Sequence, residues 1–174
     1  EHAKSLDACN EGLELAGEFG DAVNLSFAHR TKAATLLNLE RKSEALIEAE
    51  KGLELALAND LPHDQSEAHL LLGQLCRELG DSVRGRAHVD QALKACSTPS
   101  SPTAVRCRVE LAEFLKNEGR VSEAIELLDG LRQELSLSGE KLMLTWVLNL
   151  AAESYASAGD LTRAVESLRA LVDT

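Results

Sequence analysis

The chain matches itself when slid along by 40 residues. Asn10-Glu-Gly-Leu-Glu-Leu-Ala16 returns as Glu50-Lys-Gly-Leu-Glu-Leu-Ala56, and Gln91-Ala-Leu-Lys-Ala95 is a weaker copy one step further on. A second mark keeps the same phase: short turns carry Gly80, Gly119 and Gly159, while Glu40 fills the slot one step earlier. Small residues travel with these turns. Seven positions before each slot stand Ala33, Gly73, Ala112 and Ala152, and five positions after it stand Ala45, Gly85, Ala124 and Ala164. A period in this range marks a stacked array, in which a single unit cannot bury its apolar face alone.

Within each period the apolar residues follow helical spacing. Leu72, Cys76 and Leu79 share one side of a helix, as do Val121, Ala124, Ile125, Leu128 and Leu131. Asp81 and Asp160 stand where an N-cap is wanted, each just after a glycine suited to ending a helix. Asp64 with Glu67 reads as a capping box, and Ser101-Pro102 as a cap followed by proline at the first helical position. The three prolines, Pro62, Pro99 and Pro102, otherwise fall in connections. The spacing predicts nine helices over 2–17, 21–39, 42–58, 64–79, 82–96, 101–118, 121–136, 141–158 and 161–172. Aromatics are only 3% of the chain, so the core must be built from Leu, Ala and Val, the palette of closely approaching helices.

This pattern resembles the tetratricopeptide repeat family. The best copy is Leu72-Gly73 in a first helix, Leu79-Gly80-Asp81 at the turn and Ala92-Leu93 late in the second helix. Ser43-Glu-Ala45-Leu46 and Ser122-Glu-Ala124-Ile125 resemble the family's second-helix opening. Two features depart from it: the period is about 40 where the family standard is 34, and the family's aromatic positions are mostly replaced, Tyr155 being the clearest survivor. Long repeats of this sort resemble those of MalT-like regulators and of some scaffold proteins. The resemblance implies an all-α fold, a right-handed α-solenoid of antiparallel helix-turn-helix repeats. It divides a single domain, 1–174, into 1–20 (a second helix alone), 21–60, 61–100, 101–138 and 139–174.

In such an array the first helices line the concave face. Rotating about 90° from the small residue of each first helix gives the residues expected there. They are Phe27, Arg30, Ala34, Leu37 and Asn38; then Glu67, Leu70, Gln74, Arg77 and Glu78. Next come Arg106, Val109, Glu113, Lys116 and Asn117; then Trp146, Asn149, Glu153, Ala156 and Ser157. The candidate partner-binding residues are Arg30, Asn38, Gln74, Arg77, Arg106, Glu113, Lys116, Asn117, Trp146, Asn149 and Glu153. They read equally as a groove for an extended peptide or helix and as a solvated face laced with helical charge pairs. The family's carboxylate clamp is not reproduced, because Ala34 stands where its asparagine is wanted.

Other functions find little support. The formal net charge is −11, with no basic block to engage phosphates, so nucleic-acid binding is not expected. The longest uncharged run is 11 residues, against about 20 for a membrane span. Cys9, Cys76, Cys96 and Cys107 lack metal-ligand spacing and read as free thiols in a reducing, cytoplasmic compartment. His29 and His69 occupy equivalent slots, whereas His2, His63 and His88 are expected at ends or on exposed faces. No nucleophile, phosphate-loop or metal motif occurs, and no catalytic residue, cofactor or metal is expected. The chain reads as a piece of a longer protein serving as a non-catalytic scaffold for a protein or peptide. The alternatives are a regulatory segment that senses a small ligand, or a self-association module using uncapped terminal helices.

Overall fold

Six of the connections between helices close on a residue in the left-handed conformation: Gly20, Glu40, Asp60, Gly80, Gly119 and Gly159, with φ between 56° and 81°. At each the backbone folds back on the helix it leaves. Arg41 N–H donates to Leu36 O and Glu40 N–H to Leu37 O, both at 2.9 Å, and Asp81 N–H donates to Cys76 O at 2.8 Å. This is the Schellman arrangement, which satisfies carbonyls that a helix end otherwise leaves bare. The first four of these turns recur every 20 residues, at half the sequence period, and the helix leading into each is 17 residues long.

The computed structural model describes residues 2–138 and 140–173. Among them run nine helices and no strand: α1 (His2–Glu18), α2 (Ala22–Asn38), α3 (Lys42–Ala58), α4 (Pro62–Glu78), α5 (Ser82–Ala95), α6 (Pro102–Asn117), α7 (Val121–Ser138), α8 (Lys141–Ser157) and α9 (Leu161–Asp173). The caps at Asp21, Asp81 and Asp160 accept from backbone N–H groups of the first turn. Ser101 Oγ accepts from Ala104 N–H ahead of Pro102. The capping box expected at Asp64 and Glu67 is not there. Helix α4 starts two residues earlier, on Pro62, so this proline belongs to the helix and not to the connection. Proline at the first helical position has its φ already set and no N–H to satisfy. Asp64 is thereby left inside the helix, buried, where it meets Arg30.

Two compact units divide the chain, residues 1–104 and 105–174. In the first, Ala33, Leu36, Ala45, Ala49, Leu71, Leu72 and Leu75 form one apolar cluster. Helices α2 and α3 are antiparallel, since Ser26 meets Gly52, His29 meets Glu48, and Ala33 and Ala45 share the cluster. The approach is close. A Cβ placed on Gly52 would lie 3.3 Å from Ser26 O, and one on Gly73 would lie 2.5 Å from Val89 Cγ2 and 3.2 Å from Gly85 O. In the second unit, Ala112, Leu115, Ala124, Leu128, Leu131, Val147, Ala151, Tyr155 and Ala164 belong to one cluster. All eight small positions picked out by phase are buried.

These contacts set two expectations. Gly73→Leu and Ala124→Phe each cost about 1–3 kcal/mol through overpacking, read as a lower midpoint in thermal unfolding. Gly73→Ala also destabilises, since the added Cβ alone overlaps Val89. Glu40→Gly acts the other way: relieving a non-glycine residue of the left-handed conformation raises the midpoint by about 2 °C.

Candidate functional site

Charged residues on neighbouring first helices pair with one another. In the first unit, α2 presents Arg30 to α4, with Nη2 3.0 Å from Asp64 Oδ1 and Nη1 3.4 Å from Glu67 Oε2. Its guanidinium lies 5.6 Å from the centre of the Phe27 ring, close enough for a cation–π contact. Glu67 in turn accepts from Thr103 Oγ1 at 2.6 Å. Arg30, Asp64, Glu67 and Thr103 therefore form a continuous polar seam, in which Arg30 Nε is buried without a hydrogen-bond partner. Nearer the turns, Lys42 Nζ lies 3.2 Å from Glu78 and 3.3 Å from Glu40, and Arg77 lies 3.3 Å from Glu78. Asn38 is exposed and Gln74 half-buried. Leu70, expected on the open face, is instead wholly buried, since an apolar side chain at the edge of a helix stripe turns toward the core that shields it.

The second unit repeats the arrangement with other residues. Lys116 Nζ on α6 lies 3.1 Å from both Glu113 on its own helix and Glu153 on α8. Burial pulls the Lys116 ammonium downward, but the hydrogen bonds from Glu113 and Glu153 outweigh it and hold its pKa above the usual lysine value. Asn149 Nδ2 donates to Glu153 Oε1 at 3.4 Å. Asn117 is exposed and Arg106 half-buried. Trp146 stands about one helical turn before Asn149 and two before Glu153, and 55% of its surface is open to solvent.

A second set of polar contacts joins first helices to neighbouring second helices, the following one in three cases and the preceding one for Tyr155, and sequence reasoning missed most of it. His29 Nδ1 lies 2.7 Å from Glu48 Oε2, and one repeat later His69 Nδ1 lies 3.0 Å from His88 Nδ1. Arg108 reaches Glu134 through both terminal nitrogens, at 2.8 and 3.2 Å. Tyr155 Oη donates to Asp129. The signal was present: each histidine partner lies 19 residues downstream in both repeats, so Glu48 and His88 are themselves 40 apart. His88 is therefore not on an exposed face as expected. It is half-buried against His69, because the 19-residue step lands on the side facing the first helix. His63 is exposed, and the side chain of His2 lies outside the described residues.

Among the described residues, no group of three or more metal-ligating side chains occurs and no helix is long and apolar enough to cross a membrane. No family model matches the chain, and no curated protein matches it. Solved structures do. BtubC (BKLC) from P. vanneervenii superposes with a TM-score of 0.78 at 16% identity, over 99% of this chain and 72% of that one. A Podosopora anserina chain of kinesin-light-chain type, with nearly identical TPR-like repeats, gives 0.74 at 14% identity, covering 99% and 85%. The fold is a tetratricopeptide-like array of helical repeats. MamA protein shares it at a TM-score of 0.59 and 12% identity, over 98% of this chain and 92% of that one. At such identities the likeness speaks for the fold alone.

The histidine pair of this tetratricopeptide-like chain makes stability depend on pH. Burial, then the neighbouring His88, push the His69 pKa down to about 4. Burial and the Arg84 charge lower His88, against the opposing pull of Glu50 and Asp81. The unfolded chain then takes up protons near pH 6.5 while the folded chain does not, so stability is complete above that pH and falls as pH drops toward 4. We expect the melting midpoint to decline steadily from pH 7 to pH 5. In His69→Phe combined with His88→Leu, the decline over that range becomes clearly shallower.

Proposed function

We propose that the chain is a non-catalytic binding module that presents the first-helix faces of its repeats to a protein or peptide. The observation that carries this reading is Trp146, more than half exposed on a first helix beside the polar pair Asn149 and Glu153. A large aromatic ring left open to water next to hydrogen-bonding groups is the composition of a binding hot spot, not of a solvated face. Lys116 extends the same face, joined to Glu153 across α6 and α8. A scaffold role also suits a surface whose charges are already neutralised locally, since docking then asks for few buried charges to be stripped of water.

In the first unit, Asn38, Gln74 and Arg77 supply polar contacts, and the Arg30 seam keeps α2 and α4 in register beneath them. An extended segment of mixed charge suits this composition better than a strongly acidic tail. The four free thiols are consistent with a reducing compartment.

Trp146 is the sole tryptophan, so intrinsic fluorescence reports this site alone. A native lysate passed over immobilised chain is expected to yield a bound protein that shifts the Trp146 emission on titration. Trp146→Ala weakens its capture by at least about tenfold, the effect of losing roughly 1.4 kcal/mol at an interface. Asn149→Ala weakens it less. Equal capture by wild type and Trp146→Ala would remove this face as the binding site.

A further inference from the structure

Helix α8 floors a cleft of about 290 Å³ between α7 and α9, lined by Asp129, Arg132, Tyr155, Arg163, Glu166 and Ser167. The first unit has matching clefts, between α1 and α3 over α2 and between α3 and α5 over α4. Tyr155 stands four positions before its turn slot, where those clefts have Leu36 and Cys76. Over α4, Arg84 reaches across to Glu50 at 3.6 Å. Over α8 the same two positions hold Arg163 and Asp129, which take other partners. Arg163 lies 3.4 Å from Asp160 at the start of its own helix, while Asp129 accepts from Tyr155 Oη and lies 3.4 Å from Arg132. A further repeat would not cover this cleft. The one over α2 is followed by α4 and α5 in the same unit, yet Glu44 and Ile47, which match Arg163 and Glu166, remain 55% and 52% exposed.

Ser167 is left unmet by this arrangement. It occupies the position of Glu48 and His88, which bind His29 and His69 in the first unit. Here the facing position holds Leu148, which offers a hydroxyl nothing. Ser167 is only 3% exposed and lines the cleft, and among the described residues its side chain has no hydrogen-bond partner. Buried polar groups are nearly always hydrogen-bonded, so an unmet one facing a cleft points to an occupant. Other bonding capacity is spare as well. Arg163 uses only Nε on Asp160, and both contacts of Asp129 fall on Oδ1. Glu166 has no partner among the described residues.

We propose that this cleft binds a free α-amino acid with a polar side chain. The lining carries two cations and two anions. A simple anion would find its attraction to the arginines offset by Asp129 and Glu166, and a simple cation would meet the reverse. An α-amino acid hangs a carboxylate and an ammonium on one carbon, whereas either end of a peptide offers only one of them. The carboxylate suits the spare terminal nitrogens of Arg163, whose fork matches it bidentately, together with the Ser167 hydroxyl. The ammonium suits Asp129 Oδ2 and Glu166. The volume is at the small end for a ligand site, and no aliphatic side chain lines it, so a polar side chain fits better than leucine or valine. Tyr155 follows Trp146 by nine residues, half a turn around α8, so this site is separate from the Trp146 face and either reading can fail alone.

The test is isothermal titration calorimetry on the whole chain with L-serine, L-asparagine and L-glutamine, and with acetate, methylamine and inorganic phosphate as probes of one charge sign. At least one of the three amino acids is expected to bind saturably with a Kd below about 1 mM, and each one-sign probe about tenfold more weakly or worse. Arg163→Gln weakens the amino acid by about tenfold or more, and Ser167→Ala by about threefold or more. Arg163 is 57% exposed and Ser167→Ala removes only an unmet hydroxyl, so both variants melt within about 2 °C of wild type by circular dichroism. Three results overturn the proposal. They are no saturable heat from any of the three amino acids up to about 10 mM, a one-sign probe binding as tightly as the best amino acid, and binding that either variant leaves unchanged.

Discussion

Helices come together in this molecule at points where one of the two backbones has almost no side chain. At Gly73 the facing α5 leaves no room even for a methyl group, and at Gly52 the α2 backbone stands at the limit of ordinary contact. That closeness brings the Leu-rich flanks into contact and allows hydrogen bonds such as Ser26 to Gly52 to cross between helices. In a chain so poor in aromatics, burial has to come from many small contacts, and those require short distances between axes. The polar seams are a consequence. Once the axes are fixed, Arg30 and Asp64, or Lys116 and Glu153, sit within reach of one another across neighbouring first helices.

The architecture was plain from the residues because the feature that dictates it is also periodic. Glycine and alanine at constant phase, with glycine turns in step, lead to paired helices without reference to any neighbour. Helix ends were less certain where two rules competed. At Pro62 the preference of proline for a first helical position prevailed over the Asp64–Glu67 signature, and Asp64 serves a partner 34 residues away. The turn at Glu40 was placed by phase although it lacks glycine, whereas the left-handed turn at Asp60 carried no such mark, since glycine is the usual sign and Asp60 lies half a period off.

The candidate face was only half readable. Spacing identifies which residues share a side of a helix, so Arg30, Glu67, Lys116 and Glu153 were gathered correctly onto facing helices. Spacing does not reveal whether a charge turns outward or pairs with the next helix. Arg30 and Lys116 both pair. Leu70 shows the same limit from the other side: a residue at the border of two faces goes where burial is greatest.

The cross-helix contacts have one more consequence. His29 with Glu48, and His69 with His88, are each separated by 19 residues and lie wholly inside a single forty-residue cassette. A cassette therefore carries both halves of its own latch. Copying or deleting one in a gene would move both members of such a pair together. The latches inside a cassette thus survive a change in repeat number, whereas the Arg30 seam, which runs across cassettes to Asp64, Glu67 and Thr103, would have to be remade at each new junction.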